Sequence, residues 1–282
     1  MYFFCGVSEE RTVIFHVGLG KVASTYLQHR FFPVLTGIEY IPTNRYKSSR
    51  ERIQSMEGDR FLVSREFDRQ LERELKWFTE KIPSPKVIVI FRRHGSWVAS
   101  QYRRYVKNGW HWDFSNFINL EDDDGFWKKI ELNYQRKIEI IKSYTGNEPL
   151  ILFHDDLKKN PVNFFDRIAH FAGAQYDKEK VSLKPVHKSY SEKQLLVIRA
   201  FCRRFKRTPP KAYHNKFLHW IFFRSWWAFF HLILYVAVLF PESWVPKGPL
   251  IDPAELKKID DYYEEDWHAL KAMADEFNAK HG

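Results

Sequence analysis

Residues Thr12–Gln28 read TVIFHVGLGKVASTYLQ, and this stretch decides the fold class. Val13, Ile14 and Phe15 make an apolar run of β-branched and aromatic side chains, as a buried strand requires. Gly18 and Gly20 flank Leu19 and predict a tight turn. Lys21, Val22, Ala23, Ser24 and Thr25 follow, and a helix is expected to begin at the two hydroxyl residues. A strand–turn–helix junction of this kind aims backbone N–H groups and the positive end of a helix dipole at one point, which favours an anion there. Glycine lets the backbone approach the anion closely, and Lys21 adds a full positive charge. Ordinary strand-to-helix connections also carry Gly and Ser, so the local pattern alone fits both uses.

A Walker A loop needs Ser or Thr directly after its lysine and a glycine five positions before the glycine that precedes it. Here Val22 follows Gly20-Lys21, and Phe15 stands at the earlier glycine position. The hydroxyl that would hold Mg²⁺ is therefore missing.

The chain of 282 residues is long enough to bury a full core and is expected to form one domain. Lys and Arg number 45 against 35 Asp and Glu, a net charge of +10 that suits an acidic ligand, nucleic acid or an anionic membrane without choosing among them. The basic residues are spread rather than gathered in a nucleic-acid motif, so no nucleic-acid partner is expected. Two cysteines, Cys5 and Cys202, do not make a disulfide framework. The N-terminal MYFFCGVSEERT lacks the basic start and apolar run of a secretory signal, so a cytoplasmic location is expected.

Thr36 to Asp59 is polar, with Arg45, Lys47, Arg50 and Arg52, and is expected as a loop and short helix that shape an acceptor pocket. Arg60 to Ser64 is a short strand ending at Arg65-Glu66. Asp68 to Lys81 places Leu71, Leu75 and Phe78 on one helical face, and Pro83 and Pro85 stop it. Lys86 to Phe91, KVIVIF, reads as a central parallel strand covered on both faces. It ends at Arg92-Arg93-His94-Gly95, and Ser96 is expected to cap a helix that carries Ser100 and breaks near Asn108-Gly109. A helix over Trp127 to Tyr144, a strand over Pro149 to Phe153 and a helix from Pro161 to Phe171 complete the pattern. The alternation predicts an α/β fold with a mostly parallel sheet, whose ligands bind beyond the strand C-termini. Gly20-Lys21, Arg65-Glu66 and Arg92-Arg93 all fall at such ends. No cluster has metal-ligand spacing, so no metal is expected.

These motifs together resemble the PAPS-dependent sulfotransferases, particularly the bacterial relatives of the carbohydrate sulfotransferases. The strand–loop–helix His16–Gln28 looks like the family's cradle for the 5′-phosphosulfate of 3′-phosphoadenylyl sulfate, formed by Gly20, Lys21, Val22, Ala23, Ser24 and Thr25. Arg92 and Ser100, eight residues apart in FRRHGSWVASQYRRY, look like its 3′-phosphate ligands. LILFHDDLKKNPVNFFDRIAHFAG is similar to the family's segment of a strand, a Glu/Asp-Asp-Leu triplet and a Pro-initiated helix. The resemblance covers roughly residues 12 to 200. It implies a P-loop-like three-layer fold, 3′-phosphoadenylyl sulfate as co-substrate, adenosine 3′,5′-bisphosphate as product, and a hydroxyl on a glycan, glycolipid or small molecule as acceptor. It also suggests Lys21 and Glu66 as catalytic residues, Glu66 taking the acceptor proton, with His16, His94 and His111 as rivals. Lys188, in LKPVHKSYSE, is a candidate for the loop closing over the nucleotide. Two departures stand out: Gly20-Lys21 where relatives often show Pro-Lys, and Ala23 in place of the usual glycine before Ser or Thr. The other readings of the chain are a P-loop-type nucleotide kinase or NTPase and a non-catalytic membrane-surface protein.

Residues 201 to 282 are expected as a helical, aromatic-rich extension to a core over residues 1 to 200. Phe217 to Phe240, FLHWIFFRSWWAFFHLILYVAVLF, is heavily apolar, but its uncharged part, Ser225 to Phe240, falls short of a spanning length and His231 interrupts it. The segment fits a helix in a membrane interface or a helical layer buried against the sheet or a partner. Trp110, His111 and Trp112 fit either a sugar-stacking platform or core packing. An amphipathic helix is expected from an Asp252-Pro253 cap onward.

Overall fold

The computed structural model describes residues 11–184, 190–205 and 214–281. In chain order the elements are β1 (Thr12–Gly18), α1 (Ser24–Tyr26), β2 (Leu35–Thr36), β3 (Glu39–Ile41), α2 (Ser49–Ser55), β4 (Arg60–Glu66), α3 (Leu71–Thr79), β5 (Lys86–Phe91), α4 (His94–Lys107) and α5 (Phe114–Phe117). They continue with α6 (Tyr134–Thr145), β6 (Leu150–Phe153), α7 (His154–Lys159), α8 (Pro161–Ala172), β7 (Gln175–Tyr176), α9 (Glu192–Phe205), α10 (Lys216–Val236), α11 (Pro253–Tyr262) and α12 (Glu264–His281). The chain forms two compact units, one of Met1–Arg92, Asn133–Val186 and Glu264–Gly282, the other of Arg93–Leu132 and His187–Tyr263.

The first unit is built on a five-stranded sheet in the order β3-β4-β1-β5-β6, with every pairing parallel. β1 lies at its centre, and alternation sends its side chains to both faces. Phe15 stacks on Phe78 of α3 at 4.2 Å on one side, while His16 meets Phe32 at 5.2 Å on the other. Phe31 in turn stacks at 4.5 Å on Phe165 of α8. Helices thus cover both faces, and the sheet is mostly parallel, as expected. Val87 to Phe91 are all buried, which is why β5 reads as one unbroken apolar run.

β3 is a strand that the sequence did not announce, because only Ile41 of its three residues is buried. β4 runs two residues further than expected, to Glu66. The helix expected from Trp127 begins instead as a 3₁₀ turn at Lys129–Leu132, and α6 starts afresh where the Asn133 side chain accepts the Arg136 N–H. The helix expected from Asp252 is two helices, α11 and α12. α12 belongs to the first unit, where the buried Asp266 carboxylate accepts the N–H groups of Tyr134 and Gln135 at the start of α6.

In the second unit α4 crosses α11 closely. A Cβ on Gly95 would lie 2.7 Å from the Leu256 carbonyl, and the Gly95 N–H donates to Asp260 at 2.8 Å. Arg93 pairs with the same carboxylate at 3.3 Å. α4 begins at His94 with no side-chain cap, so Ser96 is inside the helix rather than capping it.

Candidate functional site

β1 ends at Gly18, beside Glu66 of β4 in the parallel register, and the chain then turns through Leu19 to Ala23. Gly18 is needed for close approach: an added Cβ would lie 2.7 Å from Ser24 Oγ and 3.3 Å from the His16 ring. Both neighbours are buried, so Gly18→Ala is expected to destabilise the fold by about 1–3 kcal/mol, read as a lowered Tm. Two non-glycine residues of the turn are left-handed, Lys21 at a φ of 70° and Ala23 at 72°. Each such residue costs roughly 1–2 kcal/mol, and strain of this kind gathers at functional loops. Alternating left-handed residues are a backbone arrangement that can turn successive N–H groups toward an anion.

The turn is held from several directions. Val22 is fully buried, Ser24 Oγ donates to the Leu19 carbonyl at 3.3 Å, and the Phe67 N–H donates to the Gly18 carbonyl at 2.8 Å. Asp68 accepts the Gly20 N–H at 2.8 Å. Asp68 carries no motif, and only the fold brings it to the loop, so sequence reasoning did not select it. Beyond Ala23 the chain enters α1 without a side-chain cap and runs directly into a π turn, Leu27–Phe31. Lys21 is exposed, while Ala23 and Thr25 are half-buried.

Arg92 ends β5, the other neighbour of β1, and its guanidinium donates to the Lys21 carbonyl at 3.4 Å. Burial lowers its pKa, against the opposing pull of Asp155. Its own carbonyl accepts the Tyr134 hydroxyl at 2.9 Å. The ends of β4, β1 and β5 therefore bring Glu66, Lys21 and Arg92 to one edge of the sheet. At the end of β6, burial and then the charge of Arg92 push the His154 imidazole down to about 4, so it is neutral at pH 7. His154 is a further residue that the sequence did not single out.

The remaining candidates are distributed differently. Ser100 is half-buried on α4, in the second unit. Lys188 lies outside the described residues. His94 is buried, shares a hydrogen bond with the Leu132 carbonyl at 3.1 Å and stacks on Tyr263 at 4.5 Å, so it serves packing. Trp110 packs among Tyr105, Phe117 and Phe126, whereas Trp112 is exposed and stacked on His111. Lys47, in the turn before α2, pairs with Glu74 at 3.1 Å, and Arg50 of α2 lies over the Trp77 ring at 3.7 Å, so these two cations serve the packing on α3.

His16 is fully buried and shares a 2.8 Å hydrogen bond with Ser64 Oγ, which also accepts from Gln28 at 3.1 Å. Burial pushes its pKa from 6.5 down to about 3. Between those values the unfolded chain binds a proton that the folded chain refuses, so stability falls as pH falls. From pH 7 to pH 5 this group is expected to remove about 2 kcal/mol of stability, and the pH slope should flatten in His16→Gln; denaturant titrations at the two pH values measure it.

Two clefts flank the sheet of the first unit. One, of about 730 Å³, is lined by residues between Gln28 and Arg45, among them Phe32, Tyr40 and Thr43. Thr43 is reached by the Arg65 guanidinium, next to Glu66. The other, of about 660 Å³, lies where β5 and β6 begin at Lys86 and Leu150.

No protein-family model matches the chain, and no curated protein matches it. Among solved structures it is similar to a sulfotransferase from Alicyclobacillus acidocaldarius, with a TM-score of 0.50 and 13% identity over 68% of this chain and 92% of that one. Mouse sulfotransferase SULT7A1 complexed with PAP matches with a TM-score of 0.46 and 14% identity over 95% of this chain and 89% of that one. The first likeness shows the fold: the α/β, P-loop-like architecture of a sulfotransferase.

Proposed function

We propose that the chain is a sulfotransferase that moves the sulfuryl group of 3′-phosphoadenylyl sulfate to a hydroxyl of a carbohydrate or glycolipid. The observation that carries this reading is the turn after the central strand, left-handed at Lys21 and Ala23, with Arg92 fastened to the Lys21 carbonyl. The sulfotransferase fold supports it, as does the resemblance of the motifs. Val22 supports it against a Mg²⁺-dependent kinase, because a buried valine stands where that chemistry needs a hydroxyl.

In the proposed reaction the acceptor oxygen attacks sulfur in line, the bond from sulfur to the 5′-phosphate oxygen breaks, and its electron pair stays on the phosphate. Lys21 neutralises the charge growing on that phosphate, which the turn and the hydroxyls of Ser24 and Thr25 hold in place. Arg92 grips the 3′-phosphate by its fork of donors. Glu66 takes the proton of the acceptor hydroxyl. The roles of Ser100 and Lys188 rest on the resemblance alone. The cleft between Gln28 and Arg45 is the proposed acceptor entrance, since it borders the strand end that carries Glu66.

Transfer of labelled sulfate from the donor to a panel of glycans, glycolipids and small alcohols tests the reading. Thermal stabilisation by adenosine 3′,5′-bisphosphate should accompany it. Stabilisation by ATP with Mg²⁺ and none by the bisphosphate would overturn it in favour of a kinase.

A further inference from the structure

The second unit carries a surface that sulfuryl transfer does not use. Lys216–Leu239 has a mean hydropathy of 1.6 over its apolar window, yet only 17% of that window is buried. At 24 residues it is long and apolar enough to cross a membrane, so the sequence count, which stopped at Arg224, was too short. No residue from Lys216 to Phe229 is buried. The protein holds the C-terminal half: the Phe229 ring lies 5.7 Å from Phe201 of α9, the Phe230 ring lies against Gly109, and the Leu234 carbonyl accepts from Gln194 at 2.7 Å. A helical layer buried in the core is therefore not what α10 forms.

At about 3.6 residues per turn, Leu218, Phe222, Leu232 and Val236 run along one side of α10, with Phe217 and Tyr235 beside them, all exposed. No charged residue interrupts that side. Lys216, His219, Arg224 and His231 share the opposite side with the protein-facing Phe230 and Leu234. Exposed Trp220 and Trp227 lie among them, and the Arg224 guanidinium sits 5.4 Å from the Trp220 ring. A partner groove would cover the apolar side and leave these tryptophans in water. A bilayer interface accommodates both: acyl chains for the uncharged side, and headgroups for tryptophan, lysine and arginine. The charge of +10 favours an anionic leaflet.

We propose that α10 lies in the plane of an anionic membrane interface, its uncharged side in the acyl region, and ties the protein to lipid. Flotation of the full-length protein with vesicles of phosphatidylcholine, alone or mixed with phosphatidylglycerol, tests this. Binding to the mixed vesicles should exceed binding to the neutral ones, with tryptophan fluorescence quenched by brominated lipid. Leu218→Glu and Leu232→Glu should each weaken binding on the order of tenfold. Circular dichroism checks their folding, and Trp220→Ala with Trp227→Ala, on the other side, gives a second reading if either glutamate variant unfolds. Unchanged flotation in the folded variants overturns the proposal. So does a solution dimer that the same substitutions dissociate, which assigns the surface to a second copy. Resistance to alkaline carbonate extraction, with proteolysis sites on both vesicle faces, overturns the in-plane placement in favour of a spanning helix.

Discussion

Lys21→Ala is expected to lower kcat/KM for sulfuryl transfer by about 10²–10³, or roughly 3–4 kcal/mol of transition-state stabilisation. Alanine isolates the charge. It keeps a Cβ at the left-handed position, so the backbone strain at a φ of 70° is unchanged and Tm should stay near that of the parent. Lys21→Gly separates the two effects further, because it removes the same charge and relieves the strain. That variant should lose as much activity while gaining up to about 1 kcal/mol of stability. Lys21→Arg should rescue poorly, since a planar fork does not replace a compact ammonium at a turn this tight. Steady-state kinetics on the labelled donor, with thermal denaturation of the same samples, measure all three. Full activity in Lys21→Ala would remove the lysine from the chemistry and leave the turn as an anion cradle only.

The strain itself was not legible in the sequence, and the reason is physical. Apolar runs report burial, so KVIVIF gave β5 its full length and TVIF placed the centre of the sheet. Burial also decides where that signal fails: β3 buries one residue of three, and it read as loop. Caps are local, so Asp252-Pro253 marked the start of α11, where the Asp252 side chain accepts the Ala254 N–H at 2.9 Å. The break between α11 and α12 carries no glycine or proline to announce it. At the candidate site, sequence reading names residues that lie close together in a motif and misses residues that only the fold brings near. Lys21, Ser24 and Glu66 come from strand ends that motif order exposes. Asp68 accepts the Gly20 N–H and His154 feels the charge of Arg92, and such partners become visible only once the strands are laid side by side. Arg93 shows the converse: it fell in a charged cluster at a strand end, and just before α4 it pairs with Asp260 of α11.

Glu66→Gln is expected to lower kcat by about 10²–10⁴ with donor affinity retained, the loss typical of removing a positioned general base. The substitution preserves shape and hydrogen-bonding capacity at the half-buried end of β4, so the sheet pairing beside Gly18 is undisturbed. Because the role proposed for the carboxylate is on the acceptor and not on the donor, thermal stabilisation by adenosine 3′,5′-bisphosphate should match the parent protein. KM for the donor should move little while kcat collapses, which separates a base from a phosphate ligand. Asp68→Ala supplies the contrast: it removes the carboxylate that pins the turn through the Gly20 N–H, so the turn should lose its fixed shape and nucleotide binding and activity should fall together. Near-normal turnover in Glu66→Gln would sink the carboxylate as base. The proton would then go to His154, which burial and Arg92 keep neutral and able to accept it at pH 7. A second variant distinguishes them, because His154→Ala would then abolish what Glu66→Gln had spared.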